Sequence, residues 1–225
     1  MTGASRGLGA ASAVALARLG AQLVVTARTE GGLEETDDAV RAAGGTATLL
    51  PLDLAEAEQL DAIGPSLFQR FGRLDILVHA AATLGRLTPV SHIYPADWRQ
   101  VVAVNFEAAW RLIRTCAPLL QAAPAGRAVF VTDSLVRAPH AYWGAYASAK
   151  AAQEHLVLTW ASETRTSRLR VNLFDPGIMA TRLRRQAFPG EDPAELAKPE
   201  TIAPAVAELC LPSEMRHGAL IRAGG

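Results

Sequence analysis

The sequence predicts an α/β protein built on a doubly wound parallel sheet with helices on both faces. Three observations predict this class: continuous apolar runs of strand length, longer helical patterns between these runs, and a glycine-rich turn before the first helical pattern. Strands that are covered on both faces are expected to be apolar throughout rather than alternating. Ligands of such sheets bind at the carboxyl ends of the strands, so functional residues are expected there.

The apolar runs fix the strand and helix predictions in chain order. Strands are predicted at residues 23–27, 48–52, 74–78, 128–132, 169–174 and 219–222, and helices near 8–19, 31–43, 55–70, 95–122, 143–166 and 200–210. A strand should also precede the glycine turn, where only Met1 stands. We expect that first strand to belong to the middle of the sheet, and the natural product to begin some residues upstream of Met1.

Composition narrows the possible function classes. The 225 residues fit one domain, and 22 basic residues balance 22 acidic ones. This zero net charge gives no reason to expect nucleic acid or an anionic membrane as a partner. Cys116 and Cys210 are far apart and lack metal-ligand spacing, so we expect reduced buried thiols and no metal site. The sequence shows neither a signal peptide nor an apolar run of about 18 residues, which predicts a cytoplasmic location.

The glycine-rich turn has the sequence TGASRGLG, in which Gly3, Gly7 and Gly9 follow the spacing G-x-x-x-G-x-G. Glycine permits positive φ and lets the backbone approach a ligand closely. The helix that follows offers free N–H groups and the positive end of its dipole to a pyrophosphate. The pattern therefore favours a dinucleotide site, and a flexible strand-to-helix turn is the alternative.

Tyr146 and Lys150 are four residues apart in a predicted helix, so they share one helix face. A phenol titrates at about pH 10, and a neighbouring ammonium is expected to lower its pKa. Tyr146 would then donate a proton during carbonyl reduction and accept one during alcohol oxidation. The alternative is a half-buried tyrosine beside a surface lysine.

The chain resembles the short-chain dehydrogenase/reductase family in motifs that cover nearly its whole length. TGASRGLG, LDILVHAAA, VAVNF, YASAK and NLFDPGIMATR stand in the family's order at compatible spacings. The resemblance implies a single Rossmann-type domain over 1–225 that transfers a hydride between a nicotinamide cofactor and a carbonyl or alcohol substrate. It also implies a substrate lid at 178–199 and a homodimer or homotetramer.

The same resemblance gives roles to individual residues. Tyr146 handles the proton, Lys150 lowers its pKa and binds the nicotinamide ribose, and Asn105 holds a water of the proton relay, a local helix kink being the alternative. Ser134, twelve residues before Tyr146, holds the substrate oxygen or else caps the strand end. The expected cofactor contacts are Gly3, Ser5, Arg6, Gly7, Leu8, Gly9, Arg28, Asp53, Leu54, Ala80, Tyr146, Lys150, Pro176, Gly177 and Thr181.

NADP(H) is the preferred cofactor on this pattern, with NAD(H) as the alternative. The end of the strand at 23–27 carries no acid that would bind the ribose and repel a 2′-phosphate. Arg28 and Arg6 offer guanidinium groups to that phosphate instead, unless both are simply solvated. Asp53 is expected to contact the adenine, to cap the following helix, or both.

Several residues depart from the family pattern. Ala80 stands where the family usually has an amide that bridges neighbouring strands, and Ala82 stands where a glycine usually lets the cofactor approach the backbone. Asp133 would weaken the role of Ser134 if its side chain faced the pocket. These departures and the missing strand motivate a second hypothesis, a non-catalytic or degraded binding or regulatory protein. His79 is expected to be structural. Positive charge on the predicted lid, from Arg182, Arg184 and Arg185, suits either an acidic substrate or a solvated helix face.

Overall fold

The computed structural model describes residues 1–224, and its sheet is parallel throughout. The strands overlap the predicted runs: β1 (Gln22–Ala27), β2 (Thr46–Pro51), β3 (Ile76–His79), β4 (Arg127–Val131), β5 (Arg170–Asp175) and β6 (Leu220–Arg222). Across the sheet, β2 and β1 form one section and β3-β4-β5-β6 form the other. Residues near the amino terminus join the two sections.

Met1 and Thr2 occupy the middle of the sheet. Thr2 forms parallel bridges with Thr26 at the end of β1 and with His79 at the end of β3. Its N–H donates to the Val78 carbonyl at 3.0 Å, and the Met1 carbonyl accepts from the Thr26 N–H at 2.9 Å. Met1 and Thr2 therefore lie where the first strand was predicted, at the centre of the sheet. The glycine turn follows them directly and leads out of the sheet.

Helices connect the strands on both faces. Their bounds are α1 (Gly7–Arg18), α2 (Glu30–Ala42), α3 (Ala57–Asp61), α4 (Ile63–Phe71), α5 (Pro95–Val102), α6 (Ala108–Ala122), α7 (Gly144–Glu163), α8 (Arg182–Ala187) and α9 (Pro199–Glu208). The helix predicted at 55–70 is two helices that meet at Ala62, and the helix predicted at 95–122 is interrupted by a π-helical turn at Ala103–Glu107. Within residues 1–224, no helix is long and apolar enough to cross a membrane.

Two hydrophobic cores hold the helices against the sheet. One core includes Leu16 of α1, Leu33 of α2 and Val206 of α9. The other includes Leu112 of α6 and Val157 of α7. Burying each of the leucines contributes about 2 kcal/mol to folding. Helices on both faces of a parallel sheet confirm the predicted doubly wound fold, which brings the carboxyl ends of the strands together at one edge.

Candidate active site

A cleft of about 1060 Å³ opens at the carboxyl ends of the strands. Its wall includes every residue that the sequence predicted to contact a cofactor, from Gly3 in the first turn to Thr181 before α8. Tyr146, Lys150 and Ser134 also line it. The fold therefore gathers the predicted contacts from six separate segments of the chain into one concavity, large enough for a dinucleotide and a small substrate.

The glycine turn forms the floor at one end of this cleft, and its glycines permit close approaches. Gly3 and Gly7 have φ values of +68° and +56°. A Cβ on Gly9 would lie 2.2 Å from the Gly3 carbonyl oxygen, and one on Gly3 would lie 2.6 Å from the Ala81 nitrogen. Larger residues would force the first turn of α1 away from the sheet. Gly7, Leu8 and Gly9 instead bring the helix amino terminus to the cleft wall, a geometry that suits a pyrophosphate.

Arg6 and Arg28 flank the same end of the cleft. The Arg6 guanidinium donates to the Thr29 hydroxyl at 3.4 Å, and the Arg28 guanidinium lies 3.9 Å from the Asp53 carboxylate. Asp53 also accepts from the Ala55 N–H at 2.9 Å, so it caps the turn after β2 while facing the cleft. Both arginines are exposed enough to reach a ligand phosphate.

His79 lies behind the cleft rather than in it. Its ring is fully buried, its Nδ1 is 2.8 Å from the Thr2 hydroxyl, and it packs against Phe130. Burial lowers the pKa of His79 to about 3, with smaller contributions from Lys150 and the amino terminus. These contacts fit the structural role expected for it. Next to it, the Ala80 N–H donates to the Thr2 carbonyl at 3.4 Å.

Tyr146 meets a carboxylate at the centre of the cleft. Its ring is buried, and its hydroxyl donates to Asp133 Oδ2 at 3.2 Å. Burial raises the pKa of Tyr146 well above its ordinary value, and Asp133 raises it further. In the protein alone the pKa of Tyr146 is therefore shifted upward, opposite to the lowering that the sequence predicts from Lys150.

Lys150 is buried one helical turn away. Its ammonium donates to the Val131 carbonyl at 2.9 Å and to Gln153 Oε1 at 3.1 Å, and burial lowers its pKa to about 8. Gln153 also donates to the Val131 carbonyl at 3.1 Å and is fully buried. Sequence reasoning missed Gln153. The available signal was a polar residue three positions after Lys150, which places it on the same helix face.

Ser134 lies one residue beyond the contact with Tyr146. It is exposed on the cleft wall and begins a short 3₁₀ turn, Ser134–Arg137. Asp133 caps this turn, since its Oδ1 accepts from the Leu135 N–H at 3.0 Å while Oδ2 faces Tyr146. The strand-end cap considered for Ser134 is therefore made by Asp133. The role of Ser134 in holding a substrate oxygen stays a prediction, and it is Asp133 that contacts the phenol.

Asn105 sits in the π-helical turn and is fully buried. Its side-chain amide donates to the Thr83 carbonyl and accepts from the Thr83 N–H, both at 2.8 Å. The kink considered from the sequence is present, and it ties α5 and α6 to the loop after β3. π turns often mark functional positions because they reorient backbone groups. The water-holding role of Asn105 stays a prediction.

The loop after β5 closes the far side of the cleft. Gly177 has a φ of +68°, and its N–H donates to Asp175 Oδ1 at 3.1 Å. The Arg137 guanidinium holds the other Asp175 oxygen at 2.8 Å. Thr181 caps α8 by accepting from the Arg184 N–H at 3.1 Å. Pro176, Gly177 and Thr181 thus form an ordered turn along the cleft.

Much of the segment 178–199 lines the cleft near Tyr146. Within it, Arg184 binds Glu191 at 2.6 Å and stacks over Phe188 at 3.7 Å. Phe188 in turn lies 5.8 Å from Trp143, whose ring meets Tyr146 edge-on at 5.7 Å. An apolar wall of rings therefore connects this segment to the phenol.

The chain is similar to known proteins both in sequence and in fold. A sequence profile of the short chain dehydrogenase family matches residues 1–192. The uncharacterized oxidoreductase YciK of Escherichia coli (strain K12) is 35% identical over 207 residues, which are 91% of this chain and 82% of YciK. A solved chain from Pseudomonas syringae is 36% identical with a TM-score of 0.94, covering 99% of this chain and 92% of that one. A chain from Escherichia coli CFT073, solved in complex with NADPH, is 34% identical with a TM-score of 0.93, covering 100% and 95%.

Proposed function

This chain belongs to the short-chain dehydrogenase/reductase family of nicotinamide-dependent oxidoreductases, and from that premise we propose that NADP(H) is its preferred cofactor. We also propose a carbonyl or alcohol carbon as the reacting group, with Tyr146 beside it. One observation carries the proposal: the buried Tyr146–Lys150 helix face and the glycine turn line a single cleft. A non-catalytic module has no use for a buried ammonium beside a buried phenol.

The residues present fit a dinucleotide. A Cβ on Gly3 or Gly9 would overlap backbone atoms, so these glycines keep the turn flat against the sheet and leave the helix amino terminus open to phosphate. A bound nicotinamide supplies a hydride acceptor or donor, a chemistry that no side chain provides. Leu54 and Asp53 would border the adenine, while Pro176, Gly177 and Thr181 would border the nicotinamide end of the cleft.

The preference for NADP(H) is supported by Arg6 and Arg28. Arg6 contacts Thr29 and Arg28 lies near Asp53, at the same end of the cleft. The forked N–H groups of a guanidinium suit a phosphate. The Escherichia coli CFT073 relative was solved with NADPH. Entry of a 2′-phosphate would draw Arg28 from Asp53, because a dianionic phosphate competes well with a carboxylate 3.9 Å away.

Four side chains have proposed roles at the reacting end of the cleft. Tyr146 lies beside the reacting group and exchanges its proton with it, Lys150 would bind the nicotinamide ribose, and Asn105 fixes the bordering loop and would hold a water of the proton relay. Ser134 is kept as an additional hydrogen-bond donor for the substrate oxygen. We further propose that segment 178–199 acts as the lid over the substrate within one domain of 1–225.

Oligomerisation and location complete the proposal. Trp98 on α5, Trp110 on α6 and Leu158 on α7 expose large apolar surfaces along one helical layer. A dimer or tetramer that pairs these helices would cover them, and analytical ultracentrifugation tests it. The free buried thiols of Cys116 and Cys210 are in keeping with a cytoplasmic location.

Cofactor binding is the deciding experiment. Thermal unfolding with NADPH, NADH or neither should show stabilisation by NADPH of about 2.7 kcal/mol at a hundredfold excess over the dissociation constant. Arg28→Asp should reduce the NADPH effect and spare the NADH effect, whereas Arg165→Asp in the exposed turn after α7 serves as the matched control. Absence of stabilisation by both nucleotides would favour the non-catalytic alternative.

A further inference from the structure

Asp133 places a carboxylate where the substrate must meet Tyr146. Its Oδ1 is fixed by the Leu135 N–H at 3.0 Å, and its Oδ2 accepts the Tyr146 hydroxyl at 3.2 Å. Asp133 lines the cleft and is only half-buried, so Oδ2 can face both the phenol and a bound ligand. Any atom that approaches the Tyr146 hydroxyl closely also approaches this oxygen.

Asp133 forms no ion pair with a cationic side chain in the described part of the chain. Across residues 1–224, no Lys, Arg or His nitrogen pairs with Asp133 within 4.0 Å. Arg137 is engaged by Asp175 at 2.8 Å and Glu154 at 3.8 Å. Lys150 is close enough for Asp133 to raise its pKa, but it directs its ammonium to the Val131 carbonyl and to Gln153. Asp133 therefore remains open to an ion pair with a ligand cation.

A carboxylate accepts hydrogen bonds and donates none, and the same is true of a ketone oxygen. The two repel, whereas a protonated C=N group offers both an N–H donor and a positive charge. We propose that Asp133 is a specificity-determining residue, which makes the cleft select iminium substrates, with a protonated C=N bond, over neutral ketones of the same shape. This inference rests on the proposed hydride transfer in the same cleft, and it replaces the carbonyl carbon proposed above with the carbon of a protonated C=N bond.

The reaction balances without a proton from the protein. A hydride from the reduced nicotinamide adds to the iminium carbon, the C=N π pair becomes the nitrogen lone pair, and the N–H stays in place. The products are a neutral amine and the oxidised nicotinamide. Ketone reduction would instead leave a Tyr146 phenolate next to Asp133. The raised pKa of Tyr146 disfavours that phenolate and agrees with the iminium route.

The surroundings of Asp133 suit a flat cationic ring. Leu84, Trp143 and Tyr146 form an apolar cluster at this end of the cleft, and aromatic faces attract cations. Among the lid arginines, Arg184 is neutralised by Glu191. Arg182 and Arg185 are exposed to solvent, so their charge is screened. The carboxylate that touches the phenol therefore dominates the choice of substrate.

Ligand binding tests the selectivity without turnover. Calorimetric titration of the NADPH-bound enzyme would compare benzamidine, an amidinium cation, with benzamide, its neutral carbonyl counterpart. Wild type should bind benzamidine at least about tenfold more tightly, and Asp133→Asn and Asp133→Ser should abolish that preference. Glu154→Gln removes a nearby negative charge that does not contact Tyr146, and it should keep the preference. Equal affinities in wild type, or a preference that survives both Asp133 variants, would overturn the inference.

Turnover gives the second readout. Dihydroisoquinolinium and tetralone have the same bicyclic shape, and NADPH absorbance follows the reduction of either. We expect Asp133→Ser to shift the ratio of kcat/KM by about tenfold or more towards the ketone. An unchanged ratio would refute the role of Asp133. If NADPH did not stabilise the wild type in thermal unfolding, the proposed function itself would be refuted. Failure of the Asp133 inference and failure of the proposed function are therefore distinguishable.

Discussion

Replacing Lys150 with methionine should make the protein more stable and inactive. Burial lowers the pKa of Lys150 from 10.5 to about 8, and each pH unit of this difference corresponds to about 1.4 kcal/mol. Below about pH 8 the folded state must therefore carry a buried ammonium, at a cost of about 3 kcal/mol. Methionine removes this cost and leaves Gln153 Oε1 without its donor, a loss of about 1 kcal/mol. We expect a net gain of about 2 kcal/mol at neutral pH.

The pH dependence separates this effect from general repacking. The depressed pKa means that the unfolded state binds more protons than the folded state between about pH 8 and 10.5, so the wild type gains stability as pH rises through that window. The advantage of Lys150→Met should therefore shrink by about 2 kcal/mol between about pH 7 and 9.5. Taking the difference between the two proteins cancels the thiols of Cys116 and Cys210, which are common to both.

Urea denaturation followed by circular dichroism measures this difference. Lys198→Met, at an exposed position, is the control and should change stability by less than about 0.5 kcal/mol. The same Lys150→Met protein should lose at least about a hundredfold in NADPH-dependent turnover. A variant that is less stable than wild type, with a gap that stays constant from neutral to alkaline pH, would refute the reasoning.

Three further predictions follow from the geometry. Gly9→Ala should abolish NADPH stabilisation in thermal unfolding, because its Cβ would lie 2.2 Å from the Gly3 carbonyl oxygen; retained stabilisation would contradict this. Acidification should destabilise the protein by about 2 kcal/mol between about pH 7 and 5, because His79 stays neutral when folded and charges at about pH 6.5 when unfolded; His79→Gln should flatten this slope in urea titrations. Arg184→Ala should raise KM severalfold with little change in kcat, since it frees Glu191 and loosens the proposed lid; an unchanged KM would exclude this role.

Continuous apolar runs predicted the strands, because parallel strands buried on two faces leave a strong apolar signal. The fold class then predicted a cleft at their carboxyl ends, and the family resemblance predicted its residues. The apolar pattern did not predict the π turn at Ala103–Glu107, since one extra residue in a helix hardly disturbs that pattern. Asn105 was the only hint, as a mediocre helix former inside the segment. The actual cause is long-range: both ends of its amide bind Thr83, 22 residues away.

The position of Asp133 shows a second limit of sequence reasoning. Asp133 and Ser134 lie beyond the end of β4, where a 3₁₀ turn begins, so a shift of one residue decides which side chain meets the phenol. The sequence favours Ser134 because it is the only serine in the segment and stands twelve residues before Tyr146. In the structure Asp133 contacts the phenol, and Ser134 is exposed on the cleft wall beside it. Residue type and spacing predict the segment, but the structure is needed to show that Asp133 is the residue that contacts the phenol.

The Trp143 ring lies between Phe188 of segment 178–199 and the Tyr146 ring. It packs against the Phe188 ring on one side and against the Tyr146 ring on the other. A ligand that displaces Phe188 would therefore also change the packing of the ring that borders the Tyr146 phenol.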